Sequence, residues 1–369
     1  MLQEKIAVDR PAGKILSLQT VRALAFLGIF TSHCGVTYLG PWGASVFFVL
    51  SGFVMVFTYS DKNMDTSMRS NFQFSLKKIK KLYPLHIVMM ISAIPIIIWD
   101  IMQNDSARTY VVSIIKVFLN IFLVQTWVAK SSAYFSMNGV AWYLSVCLFI
   151  YMMFPLLMKQ IKRYSDDKMA YICIAVILVL QIIVGFLSSL VNVPLKYSDN
   201  FSKWITYILP VFRFGDFAIG CNLGYLFLKK RTQISSVLAT ILEIVTIALI
   251  YISETIYREK ISFLGSEWCR YSLLFLPTSA LLVYLFALNK GMISKLLTNK
   301  ALIFIGNISA YTFLIHQMVI RYLKVLMPHV INGEVNIWIN TVLAFIITLI
   351  STLIYRKIEN DVKRKHVKK

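Results

Sequence analysis

The feature that most constrains this chain is a series of long apolar stretches that continues from one end to the other. Eleven of them, 16–34, 42–59, 82–103, 109–128, 140–158, 169–188, 204–228, 236–253, 270–288, 302–325 and 337–356, come near the about 20 mostly apolar residues that a helix needs to cross a bilayer. No linker or low-complexity tract separates them. The chain is 58% hydrophobic and only 15% charged, against roughly 45–50% and about 25% in a soluble domain. Lipid must therefore be the solvent for much of its surface. The fold class that follows is all-α, a polytopic membrane helix bundle with no soluble domain.

The formal net charge of +21 would suit a nucleic-acid binder, but the basic residues fall in short clusters between the apolar stretches, the pattern of cytoplasmic loops. No nucleic-acid partner is expected. The clusters are Lys5, Arg10 and Lys14; six residues in 60–81, among them Lys77, Lys78, Lys80 and Lys81; Lys159, Lys162, Arg163 and Lys168; Lys229, Lys230 and Arg231; Lys290, Lys295 and Lys300; and the tail from Arg356 to Lys369. The positive-inside rule puts all six in the cytoplasm. A membrane domain then occupies 16–356, between a cytoplasmic N-terminal segment, 1–15, and a basic cytoplasmic tail, 357–369. The polar, basic start does not read as a cleavable signal peptide. Five cysteines form neither a disulfide framework nor a metal-binding spacing, and no metal is expected.

Two stretches lie between each adjacent pair of clusters, except between 60–81 and 159–168, where there are three. One of those three should not cross. Stretch 109–128 holds Lys116 and Asn120 at its middle, and a lipid-facing lysine there would cost about 2.5–3.5 kcal/mol. It is expected to be re-entrant or packed within the protein. Ten spans remain, with both termini inside.

Polar groups within spans are the natural candidates for function. Arg22 and His33 lie about 16 Å apart along one helix face, since eleven residues are close to three turns. His316, about 21 Å into its own span, reaches a depth similar to that of His33, so the two could meet across one cavity. Each could equally cap a helix or bond a neighbour. Arg213 and Asp216 can pair at i and i+3, either at a site or as a structural ion pair. The lysines at 77–81 can hold topology, lipid headgroups or a phosphate-bearing donor. His86 reads as interfacial, His329 and His366 lie outside the spans, and Glu243 stands alone in its span without an explanation.

The polar groups also sit in an ordered set of motifs. Arg22-x10-His33 precedes Gly43-Ala44-Ser45-Val46-Phe47-Phe48-Val49-Leu50-Ser51-Gly52-Phe53. The basic run ending in Tyr83-Pro84 follows, then Ala141-Trp142-Tyr143-Leu144-Ser145 with Tyr151, Phe154 and Pro155. Pro210-x2-Arg213-x2-Asp216-Phe217-x2-Gly220 comes next, and the segment from Gly306 to His316 closes the series. From about residue 16 to 355 the chain resembles the acyltransferase-3 family of bacterial membrane O-acyltransferases.

That resemblance implies about ten helices in the bacterial cytoplasmic membrane. It implies transfer of an acyl group, usually acetyl, from cytoplasmic acyl-CoA to a hydroxyl of a surface glycan or its lipid-linked precursor. Acetyl-CoA would be a co-substrate, with no bound cofactor. It makes Arg22 and His33 the catalytic pair and aligns a donor-handling Arg-x-x-Arg with Lys78 and Lys81, with Lys77 beside them. Trp142, Ser145, His316, Arg213, Asp216 and Ser51 would line the acceptor cavity. A sugar hydroxyl needs a base to attack a thioester; His33 would be that base, or would carry the acyl group covalently, while Arg22 would orient the donor or stabilise negative charge. The chain departs from the family where lysines replace the two arginines, where Cys147 stands in place of a frequent Glu, and where Asp216 replaces Glu. Many relatives carry an appended extracytoplasmic hydrolase-like domain, for which this chain has no room. The alternative is a transporter or flippase without chemistry, which would explain the spans but not the ordered motifs.

Overall fold

The computed structural model describes residues 15–103, 107–191, 201–229, 233–261, 264, 266–330 and 336–367. Lys5, Arg10, Lys14, Lys230 and Arg231 lie outside the described residues, as do the side chains of His329 and His366. Described residues form helices, turns and irregular segments without a strand. In chain order the helices are α1 (Ser17–His33), α2 (Gly40–Tyr59), α3 (Met68–Ile79), α4 (Tyr83–Ser92), α5 (Ile94–Gln103), α6 (Ala107–Ile121), α7 (Ser131–Tyr134) and α8 (Trp142–Ile161). They continue as α9 (Asp167–Leu190), α10 (Phe201–Lys203), α11 (Pro210–Lys229), α12 (Ser236–Glu259), α13 (Leu276–Leu288), α14 (Met292–Leu297), α15 (Lys300–Val330) and α16 (Ile337–Val367).

The polytopic helical class holds, but the number of spans differs from ten. Seven described helical runs are long and apolar enough to cross a bilayer: Gly40–Tyr59, Gly139–Ile161, Asp167–Leu190, Phe201–Lys229, Ser236–Glu259, Lys300–Met327 and Ile337–Lys365. An eighth is counted if Met68–Ile79 and Tyr83–Trp99, bent by 60° at the lysine run, act as one span. Two expected spans fall short. α1 stops after 17 residues at His33, where Gly35 at φ 84° turns the chain. Stretch 270–288 is helical only over the 13 residues of α13; before them, Trp268 to Phe275 run as buried turns. Hydropathy cannot separate a helix from irregular backbone that is buried in protein at membrane depth.

α2 and α11 form the centre, and both are largely buried. They approach backbone to backbone because Gly52 and Gly220 leave no side chain between them: a methyl on Gly220 would overlap the carbonyl of Val49, and one on Gly52 that of Phe217. Small residues permit this closeness between helices in lipid. α1 packs on α2 and α15, with Gly306 of α15 against the main chain at Gln19. α9, α12 and α16 carry long rows of exposed Ile, Leu and Val on the perimeter, the apolar surface that lipid covers.

Stretch 109–128 behaves as a re-entrant segment. α6 has 15 residues, about 22 Å, with Val111, Ile114, Ile115 and Phe118 facing outward. Leu123 at φ 54° turns the chain, and Gln125 and Thr126 are then completely buried. The segment returns to the end it came from, because Thr109 and Ser113 on the way in and Phe135, Ser136, Met137, Gly139 and Val140 on the way out border one cavity. Hydrogen bonds hold the buried turn: Thr126 Oγ1 and Ser145 Oγ are 2.6 Å apart, and Ser145 also donates to the Leu123 carbonyl at 2.6 Å. His86 clamps α6 by donating Nε2–H to the Asn120 carbonyl at 3.0 Å. It is fully buried, covered by the re-entrant segment.

Glu243 also finds its explanation. Its Oε2 accepts the backbone N–H groups of Ile293 and Ser294, at 2.9 and 3.2 Å. A buried carboxylate thus caps the start of α14, where the orphan donors of a first turn gather. Gly291 leaves the room it occupies.

Candidate active site

α1 and α15 bring His33 and His316 together. His33 Nδ1 and His316 Nε2 are 2.8 Å apart. The ring planes lie within 7° and the centroids are 5.1 Å apart, the geometry of two rings joined edge to edge through a hydrogen bond. His316 is completely buried, walled by Phe26, Phe30 and Phe313. His33 is half-buried.

The hydrogen bonds settle which nitrogen holds which proton. His316 Nδ1 lies 3.2 Å from the Thr312 carbonyl oxygen, and a carbonyl only accepts, so Nδ1 carries the hydrogen. A neutral His316 then has its lone pair on Nε2 and accepts from His33 Nδ1–H. The lone pair of His33 is left on Nε2, the nitrogen that His316 does not engage. This is one imidazole oriented by a second, itself oriented by a main-chain carbonyl at the far end, an arrangement able to hold a base in place.

His33 borders a cavity of about 550 Å³, within the range of small-ligand sites. Trp142 and Tyr207, with ring centroids 5.0 Å apart, give it an aromatic wall. Gln317, Lys116 and Arg321 give it a polar one. The side-chain oxygen of Gln317 is buried and has no hydrogen-bond partner among the described residues. Arg321 is fixed by donating Nη1–H to the Met137 carbonyl at 2.6 Å.

The other sequence candidates fall into separate groups. Arg22 lies deeper, half-buried, with a long bond to Gln19 at 3.4 Å and no ion pair among the described residues. Tyr143 and Tyr151 of α8 face it, and Cys147 sits between those tyrosines. Ser51 joins this group through Tyr151, 3.0 Å away. Ser145 holds the re-entrant turn and does not border the cavity.

Arg213 and Asp216 do not border it either. They form a fully buried ion pair at 2.9 Å. Gln181 and Ser272 donate to Asp216 at 2.9 and 3.2 Å, and Arg213 donates to Ser45 at 3.2 Å and lies over the Phe48 ring at 4.6 Å. With these partners the pair ties α2, α9, α11 and the buried turn together; a buried charge that kept only one of them would be costly. Spacing at i and i+3 cannot tell such a tie from a site.

The lysines gather at the opposite end of the helices from His33. Lys78 donates to Tyr59 Oη at 2.6 Å, and Lys81 lies 5.5 Å from the Tyr311 ring. Lys77 borders a separate apolar groove with Phe72 and Tyr83. Lys116, Gln317 and Arg321 were missed as site residues. The signal was present, since all three are polar groups within apolar stretches, but only the fold shows which way they face.

Multiple apolar helices around a polar interior, with a hydrogen-bonded histidine pair beside a ligand-sized cavity, mark a multi-pass membrane protein. Residues 15–356 match the acyltransferase domain family, and the chain belongs to that acyltransferase-3 family. Over 340 residues it is 23% identical to acyltransferase MdmB of Streptomyces mycarofaciens, covering 84% of this chain and 80% of that protein. Over 376 residues it is 22% identical to the O-acetyltransferase OatA of Staphylococcus aureus; this covers 95% of this chain but only 57% of OatA. No solved structure matches the chain. Family membership makes it an acyltransferase and sets the transporter reading aside.

Proposed function

We propose that the protein moves an acyl group, usually acetyl in this family, from cytoplasmic acyl-CoA to a hydroxyl of a cell-surface polysaccharide or its lipid-linked precursor. It would work in the cytoplasmic membrane of a bacterium, with both termini inside. The observation that carries this reading is the His33–His316–Thr312 chain, which leaves Nε2 of His33 unengaged by His316 on a residue that borders a cavity with room for a sugar. In the direct mechanism His33 Nε2 takes the acceptor proton while the hydroxyl oxygen bonds to the thioester carbonyl carbon. The C–S bond then breaks, and the CoA thiolate leaves and takes up that proton. As His33 becomes charged, its Nδ1–H bond to His316 becomes charge-assisted and stronger. Arg22, about 16 Å along α1 and without an acidic partner among the described residues, would be available to the donor's negative charge as it approaches from the lysine end.

The test is release of free CoA by the purified protein given acetyl-CoA, with and without glycan acceptor. Acceptor-dependent release should fall by at least about 10²-fold in His33→Ala, as loss of a general base implies. Near wild-type transfer by that variant would sink the assignment. A burst of CoA without acceptor, absent from His33→Ala, would favour acyl transfer through the histidine itself.

A further inference from the structure

Cations surround the His33 cavity, although it lies at the end of the helices away from the basic loops. Lys116 reaches it from the re-entrant α6 and Arg321 from α15. Lys203 lies 5.8 Å from the ring of Phe135, which borders the same cavity. Lys324, one turn beyond Arg321, is within electrostatic reach of His33. The described lining includes no carboxylate. Among the described residues Lys116 and Arg321 form no ion pair, and Arg321 donates to the Met137 carbonyl through a single guanidinium nitrogen, Nη1.

The positive-inside rule accounts for lysines at the other end of the molecule, not for these. We propose that the cavity is built for an acceptor that carries an oxyanion, a carboxylate or a phosphate, close to the hydroxyl that is acylated. This rests on the acyltransferase reading of the same site. The sugar ring lies against Trp142 and Tyr207, its hydroxyl meets His33 Nε2, and the anion sits between Lys116 and Arg321. A neutral acceptor would leave those cations unpaired in a partly desolvated pocket. The phosphates of the donor do not fill the role, because the whole pantetheine arm separates them from the thioester. With the thioester at His33, they lie outside a cavity of about 550 Å³.

The experiment uses the full chain in lipid nanodiscs and two matched pairs of probes. One pair is a glucuronate-containing oligosaccharide and its carboxyl-reduced counterpart; the other is a phosphorylated oligosaccharide and its dephosphorylated form. Binding is measured without donor, and transfer with acetyl-CoA. At least one charged probe should bind and react about tenfold better than its neutral partner, the worth of one good charge-assisted contact. Comparing the pairs shows which oxyanion is preferred.

Arg321→Gln, which keeps an N–H for the Met137 carbonyl, and Lys116→Gln should each raise the acceptor KM and shrink the preference, leaving the KM for acetyl-CoA unchanged. Arg321→Lys should restore part of it. Equal use of charged and neutral probes, failure of all four to bind, or a shift in the acetyl-CoA KM instead would overturn the proposal. Charged probes that bind but are never acylated would sink the acyltransferase reading and leave the anion site standing. Transfer without charge preference would do the reverse.

Discussion

The two ring nitrogens of His33 differ in their surroundings: Nδ1 is engaged by His316, and on the proposed mechanism Nε2 is the one that meets the substrate. On that mechanism His316 would be a positioning residue, and its replacements should separate by what they offer at one point in space. His316→Gln can place a carbonyl oxygen near the lost Nε2 and should keep kcat within about tenfold of wild type. His316→Phe fills the space without an acceptor and should cost about 10²-fold or more, the range of a general base whose geometry is lost. Equal kcat in the two variants would deny His316 this role. Depth along the helices let the sequence suggest that His33 and His316 could meet, because 1.5 Å per residue is reliable in a straight helix. It could not rank Arg213 and Asp216 against Lys116 and Arg321. All four are charged groups in apolar stretches, and only packing reveals that the first two face each other while the others face a cavity.

Among the elements, the contact of α2 with α11 depends most on single atoms. Gly220→Leu would drive a side chain into the Val49 backbone, and little folded protein should be recovered in detergent. Gly220→Ala should lower thermal stability by about 1–3 kcal/mol, as overpacking does. Chromatographic monodispersity and melting temperature read both; an unperturbed Gly220→Leu protein would mean that the helices are not so close. Glu243→Ala should cost about 1–3 kcal/mol by orphaning two buried N–H groups at α14, whereas Glu243→Gln, which still offers an oxygen, should cost less. The glycines were visible as parts of motifs, but a motif does not say what a missing side chain makes room for. Nor did hydropathy reveal that 270–288 begins as buried turns, since burial in protein and burial in lipid select the same residue types.

At the scale of the molecule, two ends differ in charge and in content: exposed lysine clusters at one, the histidine cavity at the other. In a cysteine-free background, Ser132→Cys should react with an impermeant maleimide from outside the cell, and Arg163→Cys only after the membrane is opened. The reverse pattern would mean that 109–128 crosses after all or that the whole orientation is inverted, and labelling of both from one side would mean that α8, which lies between them, does not cross. If the lysine end receives acyl-CoA, Lys78→Ala with Lys81→Ala should raise the KM for acetyl-CoA, more so at low salt, where exposed charges act beyond about 8–10 Å. The acceptor KM should stay put. An unchanged donor KM would leave these lysines with only the partners they have now, Tyr59 and the Tyr311 ring.

The orientation of the histidine pair originates in a main-chain atom. The oxygen that holds His316 belongs to the peptide unit of Thr312, and the Thr312 hydroxyl is turned back onto α15, donating to Ser309 O at 3.0 Å. Systematic side-chain replacement along this helix would therefore register His316 and pass over the group that fixes its tautomer, because Thr312→Val or Thr312→Ala keeps the carbonyl in place. Only a change that bends α15 at this turn would release the imidazole and let it flip its proton to the other nitrogen. A mutational map of this enzyme should then show a loss of activity from distortion of the turn around 312 that no single side chain there can reproduce.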